Sequence, residues 1–405
     1  MKKTLAACIV LMVLLTSCQD NEPSGNHSNK EYQPIELNPA QTRVAQTNNN
    51  FALSMMKASF HSYDNKSNIL YSPFSLAASI GMLANGADGS TREEILKVLG
   101  HNSVEDINSF YQLMSIRLME ADDRVELALA NSLWVNNDIS VKESFASNLK
   151  SFFDAEIFRT DLSSPVSMDK INQWCAKATK NQIPKFLDNV PGGIFTILNA
   201  TYFSGKWTTP FPASDTAERT FIFSDGTEGT VPTMKGKIGK TLYFESDCME
   251  SIRIPYGNGA FYLEIILPKP GMAMETVVSS LVQHIEIPDY ELEEVNATLF
   301  IPKFKFDHEQ DVASFLQGLG MKAAFDMDSA DFSEMVDNKA YINSIMQKSC
   351  ISVDEEGTVA ATVTGSIMTS GLVRQMEFRA NRPFIFLIKE KSTSTILFSG
   401  IVQRP

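Results

Sequence analysis

The chain has 405 residues, of which 43% are hydrophobic and 10% aromatic, and a formal net charge of −13. This composition excludes a disordered chain, because it is sufficient to bury a large core. No run of five or more Lys or Arg residues focuses a positive field. The sequence therefore argues against nucleic acid as a partner and against a polyanionic saccharide as a cofactor, unless the fold assembles a basic patch from separate segments.

The first segment of the chain is typical of an export signal. Met1-Lys2-Lys3 precedes an apolar run, Leu5 to Leu15, of about 11 residues, which is shorter than the roughly 20 that a membrane-spanning helix needs. The run ends in Leu15-Thr16-Ser17-Cys18, which resembles the bacterial lipobox, where cleavage falls before the cysteine and its thiol receives a diacylglycerol. We therefore predict a lipoprotein signal peptide at residues 1–17 and lipid attachment at Cys18.

The lipid on Cys18 predicts where the protein is found. Several acyl chains that insert together, at ~0.8 kcal/mol per buried CH₂, give a stable anchor. We expect a protein of the bacterial cell envelope, lipid-anchored and either periplasmic or at the cell surface. Polar residues dominate after the cysteine, so residues 18–40 are predicted to be the lipidated cysteine and a flexible tether. Residues 41–405 show no repeat and no linker, which predicts one folded domain.

Helices and strands alternate irregularly in this domain. Ser72 is predicted to cap a helix that begins at Pro73. Thr91 and Glu94 form a capping box for a second helix, which ends at Gly100. Farther along, we predict helices at Met168–Thr179 and Gln310–Gly318, and strands rich in β-branched or aromatic residues at Val125–Val135, Ile194–Phe203, Phe261–Leu267, Ala297–Phe306, Phe384–Ile388 and Ile396–Val402.

The motifs of several enzyme classes are missing. No GxSxG elbow, complete P-loop or GxGxxG turn occurs. Two SxxK motifs, at Ser54–Lys57 and Ser147–Lys150, lack the SDN and KTG motifs that accompany SxxK in β-lactamases. The histidines have no metal-ligand spacing, and the cysteines form no CxxC pair. We therefore predict that the chain is not an enzyme, has no catalytic residue and binds no metal or cofactor.

The segment after Val353 has an unusual composition for a surface loop. Acidic residues and one glycine precede a run of small and β-branched residues, Thr358–Thr364, that contains no proline. Surface loops usually carry polar turn residues, whereas this run has the β-propensity of a strand. In a strand, one face would carry four small, uncharged side chains: Thr358, Ala360, Thr362 and Thr364.

The start of this segment resembles the reactive-loop hinge of inhibitory serpins, with hinge residues Glu355, Glu356, Gly357, Thr358, Val359, Ala360, Ala361 and Thr362. Four other segments resemble serpin motifs in the family's order and extend the likeness over nearly all of residues 45–405: Asn68–Ser75, Leu198–Trp207, Ile301–Phe304 and Asn381–Phe386. The resemblance implies a mixed α+β serpin fold, with three β-sheets, eight or nine helices and an exposed reactive-centre loop near residues 355–378.

The resemblance also implies a function, irreversible suicide-substrate inhibition of serine proteases by a monomer. The protease would cleave the loop, form a covalent acyl-enzyme complex and be trapped when the loop inserts into the central sheet. Papain-like cysteine proteases are an alternative target. A non-inhibitory serpin-fold binding protein is another alternative, but such a protein normally has a charged, bulky or proline-containing hinge, and Thr358–Thr364 has none of these features.

Two counts along the loop locate the scissile bond differently. Counting from the hinge places Gly371 on its amino side, whereas counting back from the motif at Asn381 places Leu372 there. The bond is therefore Gly371–Leu372 or Leu372–Val373. The apolar residues here favour elastase-like or subtilisin-like proteases. Arg374 would suit a trypsin-like protease but lies too far along by either count.

Five more residues correspond to the shutter and breach of the family: Ser72, Ser75, Asn199, Trp207 and Gln347. Each also has a purely structural interpretation, because a helix cap, a core amide and a core aromatic need no special role. Gln347 stands where many animal serpins have a histidine. Glutamine both donates and accepts hydrogen bonds, so we expect a rewired shutter with a different pH response.

Overall fold

A computed structural model describes residues 30–62, 67–283, 291–357 and 373–405. These ranges contain eight α-helices, in agreement with the eight or nine expected: α1 (Pro39–Ser62), α2 (Pro73–Gly86), α3 (Gly89–Leu99), α4 (Val104–Glu120), α5 (Glu143–Phe153), α6 (Pro165–Ala178), α7 (Met274–Gln283) and α8 (Ala313–Leu319). None of the helices within these ranges is both long enough and apolar enough to cross a membrane.

The described residues also contain fourteen strands: β1 (Ile69–Tyr71), β2 (Val125–Val135), β3 (Glu156–Arg159), β4 (Phe195–Gly205), β5 (Ala217–Ile222), β6 (Glu228–Glu245), β7 (Met249–Pro255), β8 (Phe261–Pro268), β9 (Glu293–Pro302), β10 (Phe304–Asp311), β11 (Met346–Val353), β12 (Arg374–Arg379), β13 (Phe384–Glu390) and β14 (Ile396–Val402). The one strand predicted at Ala297–Phe306 is two strands, separated at Lys303. The helix predicted from Gln310 was placed too early, because pairing with β11 extends β10 to Asp311.

Five strands form the sheet that contains most of the candidate site, in the order β10-β11-β4-β2-β3. All eleven residues of the central strand β4 are buried. One face of this sheet is covered by α6, with an apolar layer that includes Trp134, Trp174 and Leu198. The sheet is therefore enclosed around β4, while its two neighbours, β2 and β11, run on either side of that strand.

The other nine strands form one continuous ladder instead of two separate sheets. The order is β1-β14-β13-β8-β7-β6-β9-β12, with β5 paired to β6. The described residues form two hydrogen-bonded sheets instead of the three expected. The reason is that β6, 18 residues long, pairs with β9 on one side and with β7 on the other and so joins their strands into one sheet. Its register shifts between Ile238 and Thr241, where Lys240 has a φ of 50°. This bulge bends β6 and lets it pair with β9 and then with β7.

The helix predicted at Pro73 begins there, but the capping role of Ser72 is wrong. The Ser72 hydroxyl does not bond to the first turn of α2 and donates to the carbonyl oxygen of Leu397 at 2.9 Å. Proline is favourable at the first helical position because its φ is fixed near the helical value. The position at which α2 begins is therefore determined by the local sequence. The Ser72 side chain instead forms a tertiary hydrogen bond.

The capping box predicted for α3 is also wrong. The helix begins at Gly89, so Thr91 lies inside its first turn. The Thr91 hydroxyl accepts from the amide of Asp331 at 2.9 Å. The Glu94 carboxylate accepts from the amides of Lys322 and Ala323 at 2.6 and 2.7 Å. Both side chains tie α3 to a distant segment instead of capping the helix.

Candidate functional site

The chain reverses direction directly after β11. The Asp354 amide donates to the Gly357 carbonyl at 3.0 Å, and the Gly357 amide donates to the Asp354 carbonyl at 3.3 Å. The Asp354 carboxylate also accepts from the amide of Glu356 at 3.0 Å. Gly357 has a φ of 120°, and a Cβ there would lie 2.1 Å from the carbonyl oxygen of Gly205. This position requires glycine, for its conformation and for the close approach of the two backbones.

Trp207 holds the turn in place from the end of β4. Its backbone amide donates to the carbonyl of Glu356 at 3.0 Å, and its indole Nε1 donates to the carbonyl of Asp354 at 2.9 Å. The indole ring is buried and stacks on the ring of Tyr256, with centroids 4.3 Å apart and planes 10° apart. Trp207 therefore has a role beyond that of a core aromatic, because it binds the hinge backbone at two points.

Glu355 fastens the hinge to the nine-stranded sheet. Its carboxylate contacts Lys303 Nζ at 2.7 Å and accepts from the Thr216 hydroxyl at 2.8 Å, while its carbonyl accepts from the amide of Phe211 at 2.8 Å. Burial by itself raises the pKa of Glu355, but the hydrogen bonds from Lys303 and Thr216 outweigh burial and hold the pKa below its usual value. Its neighbour Glu356 has one buried carboxylate oxygen with no hydrogen-bond partner among the described residues.

β11 and β4 are paired over only part of their length. Their parallel ladder has five pairs and ends at Cys350 and Tyr202. Beyond this level, the chain crosses back to β4 through an antiparallel bridge between Gly357 and Lys206. A cavity of about 580 Å³ opens below that bridge, lined by both strands and by residues 182–185, which follow α6. The five-stranded sheet therefore contains an opening at the hinge end of the β4–β11 seam.

Comparison with known proteins identifies the family. A family model described as "Serpin (serine protease inhibitor)" matches residues 46–405. This chain belongs to the serpin family. It is similar to Serpin B6 of Pongo abelii, at 31% identity over 89% of this chain and 99% of the relative.

Two solved structures have the same fold. Tengpin, a thermophilic serpin in its native state, superposes with a TM-score of 0.82 at 27% identity, covering 94% of this chain and 99% of tengpin. Human thyroxine-binding globulin has a TM-score of 0.82 at 25% identity, covering 90% of this chain and 99% of the globulin. The mixed α+β serpin fold expected from the sequence is confirmed.

In this serpin, Gln347 binds the start of α2 through both backbone groups of Ser72. The side-chain oxygen of Gln347 accepts from the Ser72 amide at 3.0 Å, and its Nε2 donates to the Ser72 carbonyl at 2.8 Å. The two residues are 275 positions apart in the chain. One neutral amide thus satisfies a donor and an acceptor together, and the contact does not depend on a titrating group.

Asn199, the partner of Gln347 across the β4–β11 ladder, is only partly satisfied. Its Nδ2 donates to the side-chain oxygen of Asn131 at 2.8 Å. Its own side-chain oxygen is buried and has no hydrogen-bond partner among the described residues, and the same is true of the Ser75 hydroxyl. A buried polar atom without a partner costs about 1–3 kcal/mol. Within the part of the chain that the structure describes, the shutter of this serpin therefore contains two polar atoms, on Asn199 and Ser75, that could still accept a hydrogen-bond partner.

His308 is a shutter neighbour that sequence reasoning missed. It lies on β10 opposite Ser349 of β11, and its Nδ1 lies 2.9 Å from the carbonyl oxygen of Leu70. Its ring meets the ring of Tyr71 edge-on, with centroids 5.2 Å apart. Burial lowers the pKa of His308. No local pattern could have revealed this residue, because only the packing of β1 against β10 gives it a partner.

The hinge partners Thr216, Lys303 and Asp354 were also not assigned a role from the sequence, although Lys303 lies within a segment that resembles a serpin motif.

Of the residues predicted to flank the scissile bond, the structure describes Val373, which is half-buried and directly precedes β12. Among the residues that the structure describes, no group of three or more His, Cys, Asp or Glu side chains could hold a metal ion. Several predicted positions lie outside the described residues: Cys18, Thr358, Val359, Ala360, Ala361, Thr362, Gly371 and Leu372.

Proposed function

We propose that this serpin is an irreversible inhibitor of serine proteases that traps its target by inserting the segment after Gly357 between β4 and β11. The observation that carries this proposal is the turn at Gly357. An inserted strand must run antiparallel to both β4 and β11, and the turn already begins such a strand.

The bridges at Gly357 define the register of insertion. Gly357 is bridged to Lys206, next to the end of β4, and to Asp354, next to the end of β11, and both bridges are antiparallel. Continuing both ladders by one residue places Thr358 between the strands, beside Gly205. The hinge thus has its first pairs in place before any protease binds.

The same register can be followed to the shutter. Six residues farther on, it places Thr364 between Asn199 and Gln347. These two residues are already partners in the parallel ladder, so the two antiparallel ladders are mutually consistent. A hydroxyl at this position would lie beside the side-chain oxygen of Asn199, which has no hydrogen-bond partner among the described residues. Insertion would therefore supply a donor to an unsatisfied acceptor.

The alternation of buried residues supports the same register. On β11 the buried positions are Gln347, Ser349, Ile351 and Val353, and the residues between them are half-buried. Residues directly opposite each other in a ladder share a face of the sheet. The inserted partners of these buried positions would be Thr364, Thr362, Ala360 and Thr358, which are the small, uncharged residues of the loop.

The covalent step requires only the chemistry of the protease. Its serine Oγ bonds to the carbonyl carbon of Gly371 or Leu372, the peptide C–N bond breaks, and the new amino terminus takes up a proton and leaves. Insertion of Thr358–Gly371, with 14 residues at ~3.3 Å each, would carry the ester roughly 46 Å. We propose that distortion of the protease at the far end of the sheet prevents hydrolysis. The apolar residues around Leu372 favour elastase-like or subtilisin-like targets.

A single substitution tests the trap. Thr358→Arg would place a cation against the sheet interior, where its desolvation opposes insertion. We expect the covalent complex to disappear and the loop to be cleaved by a protease that stays active, as followed by gel electrophoresis and residual activity with elastase and subtilisin. The matched control is Val359→Arg, which would face the cavity side of the sheet and should preserve the complex. A Thr358→Arg variant that traps protease as well as wild type would refute the insertion mechanism.

We also propose that Cys18 carries a lipid that anchors this serpin in the bacterial cell envelope. The support is the sequence alone: the charged start, the short apolar run and the cysteine that follows it. In a bacterial host, Cys18→Ala should abolish incorporation of labelled fatty acid and move the protein out of the membrane fraction. The purified protein should inhibit equally well with or without the substitution, because Cys18 lies outside the predicted folded domain. Membrane association that survives Cys18→Ala would contradict the anchor.

A further inference from the structure

One exposed face of the nine-stranded sheet gathers cations from three strands around a single phenyl ring. Phe300 of β9 is 6% exposed. The Arg379 guanidinium lies 3.7 Å from its ring centroid, the Arg219 guanidinium lies 5.1 Å away and Lys235 Nζ lies 6.0 Å away. Lys237 lies two residues beyond Lys235 on β6 and points to the same side of the sheet. We call these four cations, Arg219, Lys235, Lys237 and Arg379, the basic face.

Most of this charge is not neutralised within the described part of the chain. Arg379 forms an ion pair with Glu377, in which its Nε and one terminal nitrogen both donate to the same carboxylate oxygen, Oε2. None of the ion pairs among the described residues involves Arg219, Lys235 or Lys237. The Nε of Arg219 is buried and has no hydrogen-bond partner among those residues. Three cations that share one face without an ion pair among the described residues create a local positive field in a protein of net charge −13, and such a field attracts an anionic partner.

The basic face lies between the two points where the reactive loop leaves and re-enters the fold. At the hinge end, Glu355 is bonded to Lys303, three residues or ~10 Å along the chain from Phe300. At the other end, the chain enters β12 after Val373, and β12 runs for ~20 Å to Arg379, which pairs with Phe300. A protein bound to the intervening loop is held by two chain ends that are both attached to the strands of this face.

We propose that the basic face is a docking surface for an acidic patch on the protease that attacks the reactive loop. This inference rests on the proposed inhibitory function and extends it, because it assigns target selection to residues outside the loop. Opposite charges brought together at an encounter surface raise association rates by 10-fold to 10³-fold, and the gain falls steeply with ionic strength. The occupant is a protein surface and not a polysaccharide, because the face is a compact cluster flanked by both loop attachments and not an extended basic track.

A direct binding test does not depend on inhibition. The probe is a fluorescein-labelled hexaglutamate peptide, measured by fluorescence anisotropy at low ionic strength, with a heparin octasaccharide as competitor. We expect saturable peptide binding that weakens about tenfold in Lys235→Gln/Lys237→Gln. The control is Lys57→Gln/Lys97→Gln, which removes the same charge from exposed helix positions and should bind like wild type. Absence of saturable binding, equal weakening in both variants, or binding of heparin alone would overturn the proposal.

A kinetic test connects the surface to the protease. With a protease that forms the covalent complex with wild type, Lys235→Gln/Lys237→Gln should lower the association rate constant about tenfold at low salt and much less at high salt. The yield of covalent complex per cleaved loop should be unchanged. An unchanged rate constant at low salt would overturn the docking role while leaving inhibition intact. Failure of wild type to form any complex with elastase, subtilisin or trypsin would instead count against the inhibitory function.

Discussion

Two buried polar side chains, Glu264 in the nine-stranded sheet and Asn199 in the five-stranded sheet, have different surroundings in this serpin. In the nine-stranded sheet, the Glu264 carboxylate is 1% exposed and is fully engaged, with Lys389 Nζ at 2.8 Å and Arg253 Nε at 3.4 Å. In the five-stranded sheet, the side-chain oxygen of Asn199 is buried and has no hydrogen-bond partner among the described residues, and the same is true of the Ser75 hydroxyl on helix α2, which packs against β4. The sheet that we propose to open therefore has a polar contact still to gain beside Asn199, whereas the buried Glu264 carboxylate of the other sheet is already paired.

Strand pairing also differs between β13 in the nine-stranded sheet and β11 in the five-stranded sheet. β13 is paired antiparallel with β14 on one side and with β8 on the other along most of its length. β11 is paired with β10 over all eight residues but with β4 over only five, and in parallel. Parallel pairs are slightly less stable per residue than antiparallel ones. The β4–β11 seam therefore has fewer strand pairs to lose than the β10–β11 ladder on the other side of β11.

The largest expected effect is that of cleaving the loop. If the cleaved segment becomes a paired strand in the seam, the melting temperature should rise by at least about 10 °C, which for a chain of this size corresponds to several kcal/mol. Differential scanning calorimetry of intact and elastase-cleaved protein would measure the change. Equal melting temperatures would mean that the seam does not receive the loop.

A substitution in the nine-stranded sheet should lower the stability of the protein by leaving a buried carboxylate without its cation. Lys389→Met leaves the buried Glu264 carboxylate without its shortest ion pair and should lower the free energy of unfolding by about 3–5 kcal/mol. Adding Glu264→Leu removes the unpaired carboxylate and should restore much of the lost free energy of unfolding. Urea unfolding of both variants checks this. A Lys389→Met protein as stable as wild type would show that the buried Glu264 carboxylate does not depend on this ion pair.

Gln347→Met isolates the shutter contact. The substitution keeps the volume but removes both hydrogen bonds to Ser72, leaving one buried donor and one buried acceptor unsatisfied. We expect the intact protein to lose about 2–4 kcal/mol and to convert spontaneously to an inactive form on warming. The control is Gln375→Met at an exposed position of β12. If both variants melt at the wild-type temperature, Gln347 does not hold the seam closed.

The smallest expected effect concerns pH. Burial lowers the pKa of His101 to about 4 and lowers that of His308 as well, so the unfolded chain binds protons before the folded one. The stability that results is complete above the unfolded pKa of about 6.5 and is lost as pH falls toward 4, by up to about 3 kcal/mol for His101. His101→Gln should flatten the pH dependence of urea unfolding in this window. An identical pH profile would exclude His101 as its source.

Local features of the sequence predicted much of the fold. The bounds of β2 and β14 were predicted residue for residue, because β-branched and aromatic runs bounded by turns specify a strand without tertiary help. α2 begins at the predicted proline for a similarly local reason. The requirement for glycine at position 357 is only partly local, since its left-handed backbone belongs to the turn itself but the close approach of the Gly205 carbonyl is a tertiary contact.

The tertiary structure decided what the side chains do. Ser72 and Glu94 have the residue types of helix caps, yet both bond to segments more than 200 positions away, because a buried partner group competes with the helix terminus for the same side chain. The opening between β4 and β11 depends on where two distant strands stop pairing. The basic face joins cations from β5, β6 and β12, and no linear run of the sequence contains them. Composition and spacing act along the chain, whereas burial, ion pairing and charge clustering depend on which strands the fold makes neighbours.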